Sequence, residues 1–345
     1  MSVIKPASAS GIGISTIATG FAMASLLALA GCSAVQVKFG WRVSLAKTPV
    51  ASIQASLPRN PGIAPGEKSP LVVAVTGPDG KVLLTEGQGK DKVLWKDLTV
   101  TATVVSANKK GVLSLPKDPR VSDGKTGHVI VTVPSHPGLQ SELDIPLRYD
   151  YPFKANFSGV SGTKGMDGTA GIDGIGGSPG STDPNNPSPG GNGSNGSNGS
   201  DGSNGGDGSD GPPVQVRVTL RPGAHPLLQI SVSSGRFASS LKERFYLVDP
   251  QGGSLTVNDS GSSGGSAGKG GRGGRGGSGG IGTPNGSSGS DGSNGSDGRS
   301  GSDGRGGSIS VTYDPQAQPF LAAIHLSNPG GPKPVFQEQP VAPLW

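Results

Sequence analysis

The chain has 345 residues and a formal net charge of +5; 62 residues are glycine, one is cysteine, 15% are charged and 4% are aromatic. Glycine at about 18% is more than twice the usual share, and one cysteine excludes both a disulfide scaffold and a cysteine-ligated metal site. The positive charge is spread thinly, with no basic stretch interleaved with aromatics, so it does not point to nucleic acid.

The first 31 residues read as an export signal. Lys5 supplies a short positive start, and an uncharged stretch, most apolar from Ile17 to Ala30, ends in Leu29-Ala30-Gly31-Cys32. Small residues close a signal segment, but here they precede the only cysteine of the chain. The string resembles the lipobox of bacterial lipoproteins. The resemblance implies cleavage before Cys32, lipidation of its sulfur and acylation of the new N-terminus. Two or three acyl chains make a stable anchor, at ~0.8 kcal/mol per buried methylene. A plain membrane-spanning helix fits less well, because the apolar stretch is short and lacks a basic stop-transfer flank. Ser33 follows the cysteine where an inner-membrane retention signal would place aspartate, so the resemblance implies the bacterial outer membrane.

The expected β-sandwich domain covers 32–150. From Val35 to Leu45, apolar Val35, Val37, Phe39, Trp41, Val43 and Leu45 alternate with small or polar residues, a period of two that predicts a half-buried strand. Further strands are expected at Leu71–Thr76 and Lys81–Thr85, joined by the turn Gly77-Pro78-Asp79-Gly80, and at Leu98–Val105, Val112–Leu115, His128–Val133 and Leu143–Tyr149. Turn signals at such short intervals fit a sandwich, and an immunoglobulin-like arrangement would satisfy the spacing. Trp41 and Trp95 read as core or domain-edge aromatics, with sugar stacking as the functional alternative. The four histidines, His128, His136, His225 and His325, lack metal-ligand spacing.

The domain expected over 151–345 holds two glycine blocks, 159–211 and 261–307, with 41 of the 62 glycines. Glycine recurs at every third residue from 159 to 180 and from 190 to 211, around a break rich in turn formers. The second block repeats the plan from 261 to 282, with Ala267 filling one gap, and from 286 to 307. We call these four segments A, B, C and D; each spans 22 residues. A flexible linker has no use for a phase. A collagen triple helix needs far more proline and no turn midway. The favoured reading is a polyglycine-II fold. Its helices have three residues per turn and no internal hydrogen bonds, so their amides pair sideways wherever a bare glycine face lets neighbours approach.

Side chains refine that expectation. Segment A has an apolar row (Val160, Thr163, Met166, Thr169, Ile172, Ile175) suited to packing on a sheet or another segment. Segment B has one serine face and one Asn/Asp face, both suited to water. Segment C is bare on two faces, which predicts an innermost position, and its Lys269, Arg272 and Arg275 are expected to meet Asp201, Asp207 and Asp210. Strand-like Phe153–Phe157, Val214–Leu220, Gly253–Val257 and Gly307–Val311 frame the blocks, so both hairpins are expected to root in one sheet. The fold class is therefore all-β plus polyglycine-II: an N-terminal β-sandwich followed by a β-rooted bundle of four glycine-rich helices.

The Gly-x-x runs in the blocks open no helix after a strand, which removes a dinucleotide site, and no P-loop, calcium-loop or nucleophile–base constellation can be assembled. The expectation is a protein that is not an enzyme and takes no cofactor or metal. Lipobox and Gly-x-y runs together resemble bacterial collagen-like surface lipoproteins, from which the scarce proline and mid-run turns depart. The implied role is structural or adhesive, with the membrane as one partner and an envelope protein or glycan as another. A carbohydrate-binding accessory lipoprotein and an ice- or crystal-surface binder are the alternatives.

Overall fold

The computed structural model describes residues 36–37, 39, 41–221, 223, 225–235 and 242–345, so Cys32 and the export segment lie outside the described residues. The described chain is mostly β-sheet, with short 3-10 turns. It divides into two compact units, Met1–Arg148 and Tyr149–Trp345. Among the described residues no helix is long and apolar enough to cross a membrane.

Among its described residues the N-terminal unit has nine short strands: β1 (Ser52–Ser56), β2 (Lys68–Pro70), β3 (Val72–Thr76), β4 (Val82–Leu84), β5 (Thr99–Thr103), β6 (Ser106–Ala107), β7 (Val112–Ser114), β8 (Gly127–Thr132) and β9 (Gln140–Ile145). They form three antiparallel sheets, ordered β1-β3-β4, β2-β7-β6 and β5-β8-β9. One core joins them, with Leu45, Ile63, Val73, Val93, Leu113, Val129, Val131 and Ile145 excluded from solvent. The predicted turn closes as expected: the Gly80 amide donates to the Gly77 carbonyl at 3.0 Å, with Gly80 at φ +77°. β5 stops short because Val104 turns to φ +67° and the Val105 amide bonds back to Thr103 O. β9 stops at Ile145 because Pro146 has no amide to continue a ladder.

The described residues of the predicted Val35–Leu45 strand do not form one; Val35, Lys38 and Gly40 lie outside the described residues. Trp41 and Arg42 donate to the Gln36 carbonyl, Val43 makes an isolated bridge to Val93, and Leu45–Lys47 is a 3-10 turn. The Leu45 amide bonds to Asp97 at 2.8 Å and its side chain enters the core. With these amides committed, no ladder longer than the single Val43 bridge forms among the described residues, and only part of the apolar alternation is buried: Phe39 and Trp41 remain 65% and 56% exposed.

The C-terminal unit holds β10 (Pro152–Ser158), β11 (Val214–Arg221), β12 (Leu227–Ser234), β13 (Lys242–Val248), β14 (Ser254–Ser260), β15 (Ile309–Tyr313), β16 (Ile324–Ser327) and β17 (Val335–Glu338). They form two sheets, β10-β14-β16 and β13-β12-β11-β15-β17. Inward Val214, Val216 and Val218 of β11 and Leu228, Ile230 and Val232 of β12 are fully buried, as period two requires. Phe153 of β10 meets Tyr246 of β13 with ring centroids 6.0 Å apart, which ties one sheet to the other. The C-terminal tail docks on this unit: Thr219 Oγ1 donates to Val341 O, the Leu344 amide donates to Gln229 Oε1, and Trp345 packs edge-on against Phe245.

The glycine blocks do not share a single root sheet. β10 leads into segment A and β14 into segment C, and these two strands pair in parallel. β11 leaves segment B and β15 leaves segment D, and this second parallel pair lies in the other sheet. Each parallel ladder runs on into the glycine segments, so a sheet neighbour in the root becomes a rod neighbour beyond it.

Candidate functional site in the glycine-repeat segments

Eight segment A amides, from Gly159 to Gly180 in steps of three, donate to segment C carbonyls and the adjoining Ser260 at 2.6–3.0 Å. Eight segment B amides, Gly190 to Gly211, donate likewise to segment D and Pro284 at 2.8–3.0 Å. These are the parallel contacts. The antiparallel ones run from B to A (Ser200 N to Thr169 O, 3.0 Å), from C to B (Gly271 N to Ser200 O, 2.8 Å) and from D to C (Gly295 N to Gly271 O, 2.8 Å), each repeated every three residues. Segments B and C therefore each bond to three others, while A and D each bond to two. Segment B is as central as C, which corrects the expectation that C alone is innermost.

Glycine is needed here for close approach rather than for unusual torsion. None of these glycines has positive φ. A Cβ on Gly271 would overlap Thr169 O, one on Gly168 would overlap Ser200 O, and one on Gly292 would overlap Ser197 O. A methyl cannot be absorbed where the obstacle is a neighbour's main chain.

Segment B does more than face water. Each of Ser194, Ser197, Ser200, Ser203 and Ser209 accepts through Oγ from a segment A amide at 2.7–2.8 Å, and its own amide donates to the same residue's carbonyl. On its other side Asn192, Asn195, Asn198, Asp201, Asn204, Asp207 and Asp210 accept from segment D amides at 2.6–2.9 Å. Asp291, Asn294, Asp297 and Asp303 of segment D do the same for segment C. Short polar side chains thus satisfy amides that no carbonyl reaches.

This overturns the predicted ion pairs. Asp201, Asp207 and Asp210 hold the amides of Ser296, Ser302 and Arg305. Lys269, Arg272 and Arg275 lie on the side of segment C that faces segment A, where the Lys269 and Arg275 amides donate to Asp167 and Asp173. The amide and hydroxyl of Ser302 hold the Asp207 carboxyl below its usual range. For Asp167 the Lys269 amide does so first and the Lys164 charge second.

The apolar row of segment A is the second correction. Its backbone bonds to segment B, but Val160, Met166, Ile172 and Ile175 are 77–79% exposed, and Thr163 and Thr169 are exposed beside them. The amides and carbonyls of this row reach segment B, while its side chains stand on the outer side of segment A.

At the root, Asp259 of β14 is fully buried, and both its carboxylate oxygens lack a hydrogen-bond partner. They lie against the backbones of Gly211 and Gly307, where segments B and D end. Burial pushes this carboxyl up to about 6, with the Gly307 amide partly offsetting it.

In the N-terminal unit Trp95 is buried and its Nε1 donates to Glu86 O, which removes it as a sugar platform. Exposed Trp41 stacks at 5.7 Å on Phe39 and keeps such a surface open. Among the described residues no group of three His, Cys, Asp or Glu is placed to hold a metal ion. His128 pairs with Asp144, and His136 with Ser135. No protein-family model matches the chain, and no curated protein matches it.

Proposed function

We propose that this chain is a lipid-anchored protein of the bacterial cell envelope, with a structural or adhesive role rather than a catalytic one. Cys32 carries the lipid at the outer membrane, a β-sandwich follows it, and four glycine-rich helices form a stiff polyglycine-II bundle. The observation that carries this reading is the unbroken three-residue ladder of amides between segments. Such rods hold one another through main-chain bonds, supplemented by short serine, asparagine and aspartate side chains. At ~3.1 Å per residue each is roughly 65 Å long, a span suited to a spacer or a display element. Because the contacts are repeated hydrogen bonds with few movable side chains, the bundle resists bending and needs no large apolar core.

Two measurements test the two halves. Amide hydrogen exchange should be slow at glycines throughout segments A to D, and trypsin should leave Arg272, Arg275, Arg299 and Arg305 intact in the native protein. Exchange as fast as in an unstructured peptide would leave a flexible linker in place of the bundle. Independently, Cys32→Ser should move the protein from the membrane fraction to the soluble fraction. Unchanged membrane retention would remove the lipid anchor from the proposal.

A further inference from the structure

The bundle has four long outer faces, one along each pair of adjacent segments other than the central pair B and C, and three of them carry charges. Lys269, Arg272 and Arg275 with Asp167 and Asp173 mark the face between A and C, Asp291, Asp297 and Asp303 that between C and D, and Asp201, Asp207 and Asp210 with Arg299 and Arg305 that between B and D. The fourth lies between A and B. It presents Val160, Thr163, Met166, Thr169, Ile172 and Ile175 beside the serines of segment B, and its two facing rows carry no charge from 160 to 178 or from 191 to 209.

We infer that a second copy of this chain covers the Val160–Ile175 row, the two bundles lying side by side and parallel. The inference rests on the anchored-bundle reading, since copies tethered at one end to the same membrane present their rods in the same direction. In a parallel two-fold pair each residue of the contact row meets its own equivalent at the same height. A contact row made of Lys269, Arg272 and Arg275, or of Asp291, Asp297 and Asp303, would then set each charge against its own equivalent. The neutral row avoids that repulsion.

Size and spacing agree. The row exposes roughly 600 Å² per copy, below the ~800 Å² per partner of a standard interface and at the upper end of the apolar patch, about 300–600 Å², that a monomer leaves open. Successive side chains stand about 9 Å apart along a three-residue turn, which leaves gaps for the partner's side chains to enter. Tethering in one membrane supplies the effective concentration that a contact of this modest size needs.

The test uses the full acylated chain in lipid vesicles. Its only cysteine is Cys32, whose sulfur carries the lipid, so an engineered thiol stands alone. Mild oxidation of Thr169→Cys should give a disulfide-linked dimer about tenfold more readily than Ser293→Cys on segment D, and adding Met166→Asp with Ile172→Asp should bring it down to that level. Equal cross-linking at both positions, or cross-linking indifferent to the two aspartates, overturns the pairing. Amide exchange on the same samples separates the failures. Protected segments without Thr169 cross-links sink the dimer alone, whereas fast-exchanging segments sink the bundle and the dimer together.

Discussion

Gly271→Val should destabilise the C-terminal unit by about 3 kcal/mol or more, above the usual cost of overpacking. Gly271 is buried in segment C, where its amide bonds to Ser200 O and its carbonyl accepts from Gly295. A side chain there meets Thr169 O, so segments A and C must separate. The A-to-C bonds on either side, Gly168 N to Lys269 O and Gly171 N to Arg272 O, then lengthen, and neighbouring rungs of that ladder follow. The adjacent Arg272 is exposed, and Arg272→Val should change stability by no more than about 0.5 kcal/mol. Thermal unfolding of the two variants, with trypsin cleavage at Arg275 as a local readout, checks the contrast. Equal melting temperatures would mean that the absent Cβ is not what holds the segments together.

Asp259 should make the same unit less stable as pH rises from about 4 to about 6. Its carboxyl titrates at about 6 in the folded chain against an ordinary 3.8. Between those values the native state holds a proton that the unfolded state has released, so unfolding stability falls with pH across that window and stays low above it. The effect amounts to about 1–3 kcal/mol, the upper figure being the full shift. Asp259→Asn should flatten the slope, gaining stability over the wild type at pH 8 but little at pH 4. Asp167 and Asp207, whose carboxyls are held low, act with the opposite sign below about pH 4; subtracting the variant's profile from the wild type removes them. A wild-type profile that rises or runs flat against the variant between pH 4 and 6 would show that the carboxyl at the root is solvated or paired.

Most strands of both units are visible as apolar alternation closed by turn residues, and β8 and β11 fall within a residue of their predicted bounds. Three kinds of error are instructive. The alternation from Val35 to Leu45 has the right period, but the amides of Trp41 and Arg42 are taken by Gln36 and that of Leu45 by Asp97, so the described part made no ladder. β1 is missed because its SIQAS sequence offers only two apolar residues, Ile53 and Ala55, too short an alternation to stand out. β12 is missed because Gln229 and Ser231 sit buried among its apolar residues and disguise a central strand, and β13 follows it into the same sheet.

In the candidate site, the glycine phase, the equal segment lengths and the flanking strands can all be read along the chain. The duties of the serine and Asn/Asp rows cannot. A three-residue period says that these side chains share a face, and an exposed polar face reads as solvated. Only the parallel register, which places Asp201 beside Ser296 and Asp207 beside Ser302, turns them into acceptors for a neighbour's main chain.

What this sequence determines alone is local: where a side chain is missing, how often, and where each run must turn, because steric room at Cα is a property of the residue itself. Which rods become neighbours, which row is left outside and which carboxylate is trapped at the root depend on main-chain groups some 100 residues apart. Those were decided when β10 paired with β14 and β11 with β15, since a hydrogen bond requires both partners to be in place.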